Sequence, residues 1–178
     1  MEKNKNKNEL VIEWYEQYYE DVYRFILFML GNKHSCEDFV HDTFVRAYTA
    51  YDRFDSRSST KTWLFSIAKH LVIDEIRKQK RRNLMKVIPF KKEIPSTFNI
   101  EQHVENKELV IQLMEDIKNL KPNYRLVIIL IKIEENSTKE TAEILQWSEA
   151  KVRKTLSRAL FVLKSKIEIK GGEYFEQL

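Results

Sequence analysis

The scarcity of chain-breaking residues is the feature that most constrains the fold. The 178 residues include only three glycines and three prolines, so few positions mark a turn. Over long stretches, apolar residues recur three and four positions apart, which is the spacing of one face of an α-helix. The sequence therefore predicts an all-α protein, and its length suits one domain or two small ones.

Charge and cysteine content narrow the class of protein further. The formal net charge is +4, and the basic residues are clustered, which is typical of a protein that binds nucleic acid. The single cysteine, Cys36, excludes an intrachain disulfide and suits a reducing cytosol. Its spacing from His34 and His41 fits no common zinc pattern, so we expect no metal and no other cofactor.

No segment of the sequence is predicted to enter a membrane. The polar start MEKNKNKN lacks the apolar core of a signal peptide, and we expect residues 1–8 to be disordered. The longest apolar runs, 25–30 and 126–131, are too short to span a bilayer. We therefore expect a cytoplasmic protein without direct membrane insertion.

Three amphipathic helices are predicted in the first half of the chain. The first begins at Glu9 and ends near Gly31, a glycine placed to adopt the left-handed conformation that closes many helices. The second covers 37–51 and the third 62–78. Their apolar stripes are Val40, Phe44, Ala47, Tyr48 and Tyr51, and Trp63, Ile67, Leu71 and Ile76. Between them lies a polar loop, Asp55–Lys61, which has no apolar anchor and is free to meet a ligand.

The exposed faces of the second and third helices carry opposite charges. Opposite its apolar stripe, the second helix carries Asp38, His41, Asp42 and Arg46. The third helix there carries Lys69, His70, Arg77 and Lys78, and residues 77–92 include no acidic residue. The basic face favours contact with phosphate, whereas the acidic face would repel DNA and suits a basic protein surface. For each face, a merely solvated surface is the alternative.

A linker and a second domain are predicted in the rest of the chain. Residues 83–105 include Pro89 and Pro95 and show no clear period, which indicates a linker. One helix is expected from near Asn106 to Leu120, and Pro122 suits the first turn of the next.

The last two predicted helices form a helix-turn-helix. Ser137 and Glu140 have the spacing of a capping box, so a short helix is expected from Thr138 to about Leu145. Ser148 is placed to cap the last helix. The second helix of this motif lies in the major groove, where Arg and Lys can pair with guanine edges or anchor on phosphate. The side chains expected to face DNA are Ser148, Glu149, Lys151, Arg153, Lys154, Ser157 and Arg158.

No arrangement of residues in the sequence predicts catalysis. The adjacent acidic pairs 74–75 and 134–135 point to different helix faces and form no shared acid–base site. A glycine-rich phosphate loop and a nucleophile–base pattern are both missing from the sequence. A nuclease would require a carboxylate cluster, which the sequence does not offer, so a protein without enzymatic activity is predicted.

Residues 37–82 include a long series of residues at fixed offsets, which are Glu37, Asp38, Val40, Thr43, Phe44, Arg46, Ala47, Tyr48, Asp52, Arg53, Phe54, Thr62, Trp63, Leu64, Ile67, Ala68, Asp74 and Arg77. This series resembles the promoter-melting region of bacterial RNA polymerase sigma factors of the extracytoplasmic-function (ECF) group. The family pattern is E-D-L-V-Q-E-T-F-x-R-A-Y, a D-R-F loop, then T-W-L-x-x-I-A-R-N-x-x-x-D-x-x-R-R. A match of this length at fixed offsets is specific. The chain departs from the pattern at His41, Asp42, Lys69 and His70.

This resemblance implies a role for each face. It implies that the loop captures an unstacked base of the −10 element and that the basic helix follows the single strand. The implied residues are Asp55, Ser56, Arg57, Ser58, Ser59, Thr60, Lys61, Lys69, His70, Asp74, Arg77 and Lys78. It also implies that the acidic face binds the clamp helices of the largest polymerase subunit. The implied residues there are Asp38, His41, Asp42, Val45 and Arg46.

Residues 137–159 resemble the promoter-reading domain of the same family, whose pattern is S-Y-E-E-I-A-E-I-L-G-I-S-x-x-T-V-K-S-R-L-x-R-A. Thr141 replaces an apolar residue, Gln146 replaces the turn glycine, and Thr155 replaces an arginine. A left-handed backbone at Gln146 would cost about 1–2 kcal/mol because the residue is not glycine.

The two resemblances together imply an ECF sigma factor that binds core RNA polymerase and directs promoter recognition and melting. The implied domains are a region 2-like domain over 9–82 and a region 4-like domain over 106–170, with a tail at 171–178. The implied partners are promoter DNA, the polymerase clamp helices, the flap of the second-largest subunit and a membrane-anchored anti-sigma factor. A free-standing helix-turn-helix regulator is the alternative, but it leaves the acidic face and the polar loop without a role.

Overall fold

The computed structural model describes residues 6–31, 33–85 and 107–169, and all regular structure in these ranges is helical. The all-α prediction is therefore confirmed for these residues. The α-helices are α1 (Lys7–Leu30), α2 (Lys33–Ala50), α3 (Thr60–Met85), α4 (Lys107–Lys118), α5 (Pro122–Ile128), α6 (Thr138–Leu145) and α7 (Glu149–Ile169). A 3₁₀ turn, Tyr51–Arg53, follows α2, and a π-helical segment, Ile129–Ile133, continues α5. Most of the predicted linker lies outside the described residues.

The first three helices all begin earlier than predicted: α2 begins at Lys33 rather than Glu37, and polar side chains cap α1 and α3. α1 begins at Lys7 rather than Glu9, since the Asn6 side chain accepts a hydrogen bond from the Asn8 amide and Glu9 bonds back to Asn6. α3 begins at Thr60 because Ser59 Oγ accepts from the Thr62 amide at 3.1 Å. Residues 60 and 61 therefore belong to α3 and not to the polar loop.

The predicted glycine cap of α1 is confirmed. Gly31 is left-handed, with φ of 64°, and its amide donates to the Leu27 carbonyl oxygen at 2.7 Å. A Cβ atom at Gly31 would also lie 2.6 Å from the side chain of Lys118.

We expect Gly31→Ala to lower the free energy of unfolding by about 1–2 kcal/mol, because an L-residue is strained in this conformation. Urea denaturation of the full chain measures this loss. The control is Ala50→Gly at the end of α2, which makes the reverse exchange at a position where φ is −93° and alanine is not strained. An alanine at 31 that leaves stability unchanged would contradict the strain.

The buried surface of α3 is wider than its predicted stripe. The fully buried apolar residues are Leu64, Phe65, Ala68 and Val72, whereas Trp63, Ile67 and Ile76 are half-buried. The reason is that α3 packs against α1 and α2 and also against α6, so more than one side is covered. Tyr48 is predicted in the stripe of α2 but is exposed. It lies beside the start of α1, where its hydroxyl bonds Asn8 at 2.9 Å.

The N-terminal helices α1–α3 and the C-terminal helices α4–α7 pack against each other around one hydrophobic core. Arg125 of α5 is buried and donates to the carbonyl oxygens of Met29 and Lys118. Lys118 Nζ donates to the Gly31 carbonyl oxygen at 3.4 Å. The last turn of α1 has no basic residue of its own, so cations from the C-terminal helices interact with its negative end.

An ion pair joins the same two groups of helices. Arg24 of α1 makes two bonds to the Glu134 carboxylate, at 2.7 and 2.6 Å, and a third to Asp21 at 2.8 Å. Lys61 of α3 pairs with Asp21 at 2.9 Å. Glu134 is buried, and this burial raises the pKa of its carboxyl although Arg24 opposes the rise. The sequence did not predict this pair, because its members lie 110 residues apart.

Candidate nucleic-acid interface

The predicted helix-turn-helix is formed by α6 and α7. The capping box of Ser137 and Glu140 is confirmed, with bonds of 3.1 and 2.8 Å between each side chain and the backbone of the other. Gln146 is left-handed, with φ of 56°, so it adopts the conformation usual for the glycine that it replaces. Ser148 Oγ accepts from the Lys151 amide at 3.2 Å, so the predicted cap of α7 is also confirmed. These local contacts fix where the last helix begins.

One side of α7 is exposed and mostly polar and charged, although Phe161, which is 73% exposed, lies on this side one turn beyond Ser157. The predicted DNA-facing residues, all exposed, are Ser148, Glu149, Lys151, Arg153, Lys154, Ser157 and Arg158. Arg153 is held by Glu149 at 3.1 Å. Lys151 lies over the ring of Trp147. The opposite side of the helix packs into the core through Val152, Ala159 and Leu163.

The polar loop before α3 is stabilised by its own side chains. Asp55 Oδ1 accepts from the Arg57 amide at 3.1 Å, and its second oxygen lies 3.0 Å from Arg57 Nε. Ser56 between them is left-handed, with φ of 57°. The rings of Phe54, Trp63 and Trp14 form a cluster before the loop, with Phe54 and Trp63 centroids 4.7 Å apart. Trp63 therefore packs in the protein, as predicted.

The exposed face of α3 keeps most of its predicted residues. His70, Asp74, Arg77 and Lys78 are exposed. His70 Nδ1 lies 2.6 Å from the Ser66 carbonyl oxygen, and because a carbonyl oxygen only accepts, Nδ1 donates there. Arg77 and Asp74 lie 3.6 Å apart.

The prediction that Lys69 is exposed is wrong. Lys69 is 9% exposed, and this burial lowers the pKa of its ammonium group. It lies one helical turn from both Phe65 and Val72, which are buried, so it belongs to the wider buried surface of α3. Lys61 is half-buried and paired with Asp21. Neither ammonium group is therefore both exposed and unpaired, as contact with a DNA strand would require.

The predicted acidic face of α2 is on the surface. Asp38, His41, Asp42, Val45 and Arg46 are all exposed. Two residues of α1 that sequence reasoning missed, Ile12 and Tyr15, are exposed as well, and the Tyr15 ring lies 4.8 Å from that of Phe44 on α2. Both are apolar or aromatic residues that lie outside the buried stripe of α1. This position was the signal in the sequence that could have identified them as exposed. Carboxylates and exposed apolar side chains therefore occur together on this surface, which suits binding to a protein.

The Cys36 thiol is buried, and burial raises its pKa to about 12, so it is a poor nucleophile.

Among the described residues, no helix combines the length and apolarity needed to cross a bilayer.

Two family models match the chain. The model described as Sigma-70 region 2 matches residues 14–82, and that described as Sigma-70, region 4 matches residues 111–160. The chain is also 35% identical over 174 residues to the ECF RNA polymerase sigma factor SigX of Bacillus subtilis, covering 91% of this chain and 86% of SigX. The chain belongs to the ECF RNA polymerase sigma factors. The expected function, directing transcription initiation, follows from this membership, and the free-standing regulator is not favoured because the region 2 match has no place in it.

Further similarities agree with this sigma factor family. ECF sigma factor SigM of Bacillus subtilis is 34% identical over 154 residues, covering 86% of this chain and 92% of SigM. The fold is similar to that of the sigma factor RpoE from Bartonella quintana, solved with the anti-sigma factor NepR, with a TM-score of 0.74 at 20% identity over 88% of this chain and 96% of RpoE. CnrH, solved with the cytosolic domain of CnrY, gives a TM-score of 0.67 at 21% identity over 91% and 90% of the two chains.

Proposed function

We propose that this sigma factor uses separate surfaces for the polymerase, the −10 element and the −35 element. The acidic face of α2 would bind the clamp helices of the largest polymerase subunit through Asp38, His41, Asp42, Val45 and Arg46. Its exposed carboxylates favour a basic protein partner and disfavour DNA. The exposed Ile12 and Tyr15 extend the same surface with apolar area that a partner can bury.

The loop at 55–59 and the exposed face of α3 are proposed to hold the melted −10 strand. A base that leaves the stack costs a few kcal/mol, so it requires a site to receive it. The loop offers hydroxyl and carboxylate groups at the surface, and Arg77 and Lys78 offer cations for the backbone. We leave Lys69 and Lys61 out of this site, because one is buried and the other is paired.

Helix α7 is proposed to read the −35 element in the major groove. The observation that carries the whole proposal is the separation of charge: exposed carboxylates on α2, and exposed cations at 151, 153, 154 and 158 on α7. One surface therefore suits a protein and the other suits duplex DNA.

Transcription in vitro tests the proposed function. Purified chain is added to core RNA polymerase and a pool of bacterial genomic fragments, and the 5′ ends of the transcripts are mapped. We expect initiation at a limited set of sites that share two elements and that core enzyme alone does not use. If the chain does not change the start sites, the proposal is wrong.

The finer partner assignments belong to this proposal as well. The flap of the second-largest polymerase subunit is proposed to bind the C-terminal helices, and an anti-sigma factor, anchored in the membrane, to hold the chain inactive. The structural neighbour RpoE was solved with the anti-sigma factor NepR, and CnrH was solved with the cytosolic domain of CnrY, which supports the proposal of a protein partner for this chain. The protein would act in the cytoplasm with the polymerase.

Replacing one cation of α7 tests the placement of this helix on DNA. The logarithm of the binding constant falls with the logarithm of salt concentration by about 0.9 for each phosphate contact. We expect Lys154→Ala to weaken binding of the holoenzyme to a promoter fragment. We also expect it to reduce the magnitude of this slope by about 0.9, the value for one phosphate contact. Lys121→Ala, an exposed lysine at the start of α5, is the matched control. Unchanged affinity and slope for Lys154→Ala would contradict the placement of α7.

A further inference from the structure

Trp147 occupies the turn between α6 and α7, where both its backbone and its side chain make contacts with the rest of the protein. Its backbone amide donates to the Ala142 carbonyl oxygen at 3.0 Å, which sets where the residue leaves α6. The side chain is half-buried and packs against the hydrophobic core. The indole therefore presents a face whose position the fold determines.

Lys151 lies one helical turn further along, on the exposed side of α7. Its ammonium nitrogen is 4.1 Å from the centroid of the Trp147 ring, inside the roughly 6 Å range of a cation–π interaction. Its backbone amide donates to Ser148 Oγ, so Lys151 belongs to the first turn of α7. Both the side chain and the backbone of this residue are thus held in place.

Nothing else in the first turn provides an equivalent hold on this ammonium group. The nearby carboxylate, Glu149, pairs with Arg153 at 3.1 Å. A cation in the first turn is also disfavoured by the positive end of the helix dipole. The indole face counteracts this effect and limits the rotamers that the long lysine side chain adopts.

We propose that Trp147 is a positioning residue, which holds the Lys151 ammonium group ready to contact a DNA phosphate at the start of the recognition helix. The proposal rests on the proposed function of α7. A helix N-terminus offers unpaired amide groups to an anion, and a lysine fixed beside them completes such a contact. Since the ring remains partly exposed, the ammonium can stay against it while a phosphate approaches from the DNA side.

A double-mutant cycle on the holoenzyme tests this proposal. The variants are Trp147→Ile, Lys151→Met and both together, and affinity for a promoter fragment is measured from 50 to 200 mM salt. We expect Lys151→Met to lower the affinity and to reduce the salt slope by about 0.9. Trp147→Ile is expected to lower the affinity by about threefold to tenfold while Lys151 is present, and to have much less effect in the Lys151→Met background. Trp147→Phe, which keeps an aromatic face, should remain close to the wild type.

Equal effects of Trp147→Ile in both backgrounds would overturn the proposal, because a purely structural tryptophan has no coupling to Lys151. An unchanged slope for Lys151→Met would overturn it as well. These failures differ from failure of the proposed function, in which the wild-type holoenzyme itself would not initiate at new sites.

A measurement on the wild-type chain requires no substitution at position 147. The Lys151 methylene protons next to the ammonium lie near the indole face, so their NMR signals should be shifted upfield by its ring current. We expect this shift in the free protein and its loss in Trp147→Ile. Signals at ordinary positions in the wild-type protein would show that the ammonium group is not held there, and the proposal would fail.

Discussion

The double variant Asp38→Arg with Asp42→Arg is expected to lose binding to core RNA polymerase by roughly 100-fold or more. Both carboxylates are exposed on α2, and Val45, three residues beyond Asp42 on the same helix, is an exposed apolar side chain. Like charges brought together across an interface cost several kcal/mol, and each 1.4 kcal/mol changes an affinity tenfold. Affinity for core enzyme without DNA, measured with a labelled chain, gives the result.

A control with the same change in net charge separates this effect from general electrostatics. Glu13→Arg with Glu20→Arg also replaces two exposed carboxylates, but on α1 and outside the residues proposed to bind the polymerase. This control should retain polymerase binding, and thermal unfolding should be similar for both double variants because all four positions are exposed. If the two pairs weaken binding equally, the acidic face of α2 is not the polymerase-binding surface.

Arg24→Met is expected to destabilise the protein by about 3–5 kcal/mol, because it leaves the buried Glu134 carboxylate without its partner. Asp21 loses its contact with Arg24 too but keeps Lys61 at 2.9 Å. Glu134→Gln should cost much less, since it removes the buried charge together with the need to pair it. Urea denaturation of the full chain at pH 7 measures both variants. Equal losses would contradict the interpretation that an unpaired buried charge dominates.

The effect of Arg24→Met should also depend on pH. Burial raises the pKa of the Glu134 carboxyl in the folded protein, and without Arg24 the pKa should rise further. A carboxyl whose pKa is higher in the folded state binds more protons there, so stability falls as pH rises through that pKa. Arg24→Met should therefore regain part of its lost stability when the pH is lowered from 7 to 5. A loss that stays constant over this range would show that Glu134 is not the titrating group.

Features that depend on a few neighbouring residues were predictable from the sequence. The left-handed Gly31 and the capping box at Ser137 arise from contacts within one helical turn, so the sequence pattern contains the necessary information. The exposed sides of α2 and α7 were predicted for a similar reason, because helical spacing separates apolar from charged positions.

Features that arise from packing between distant segments were not predictable. Lys69 is buried because α3 has more than one covered side, which a single stripe of apolar residues cannot reveal. Arg24 and Glu134 are separated by most of the chain, and either residue alone is typical of a solvated helix surface. The sequence shows that Lys151 is charged, but only the fold shows that its ammonium group lies close to the Trp147 ring.

The contacts of Arg125 and Lys118 with the end of α1 affect how the chain can be divided. If the chain were cleaved between α3 and α4, the released N-terminal fragment would keep its acidic face and its polar loop. The carbonyl oxygens of Met29 and Gly31 would lose their two cationic donors, and the final turn of α1 would exchange its amide hydrogens faster. A fragment that retains every residue of the proposed polymerase-binding surface would therefore still be less stable than the same segment within the whole chain.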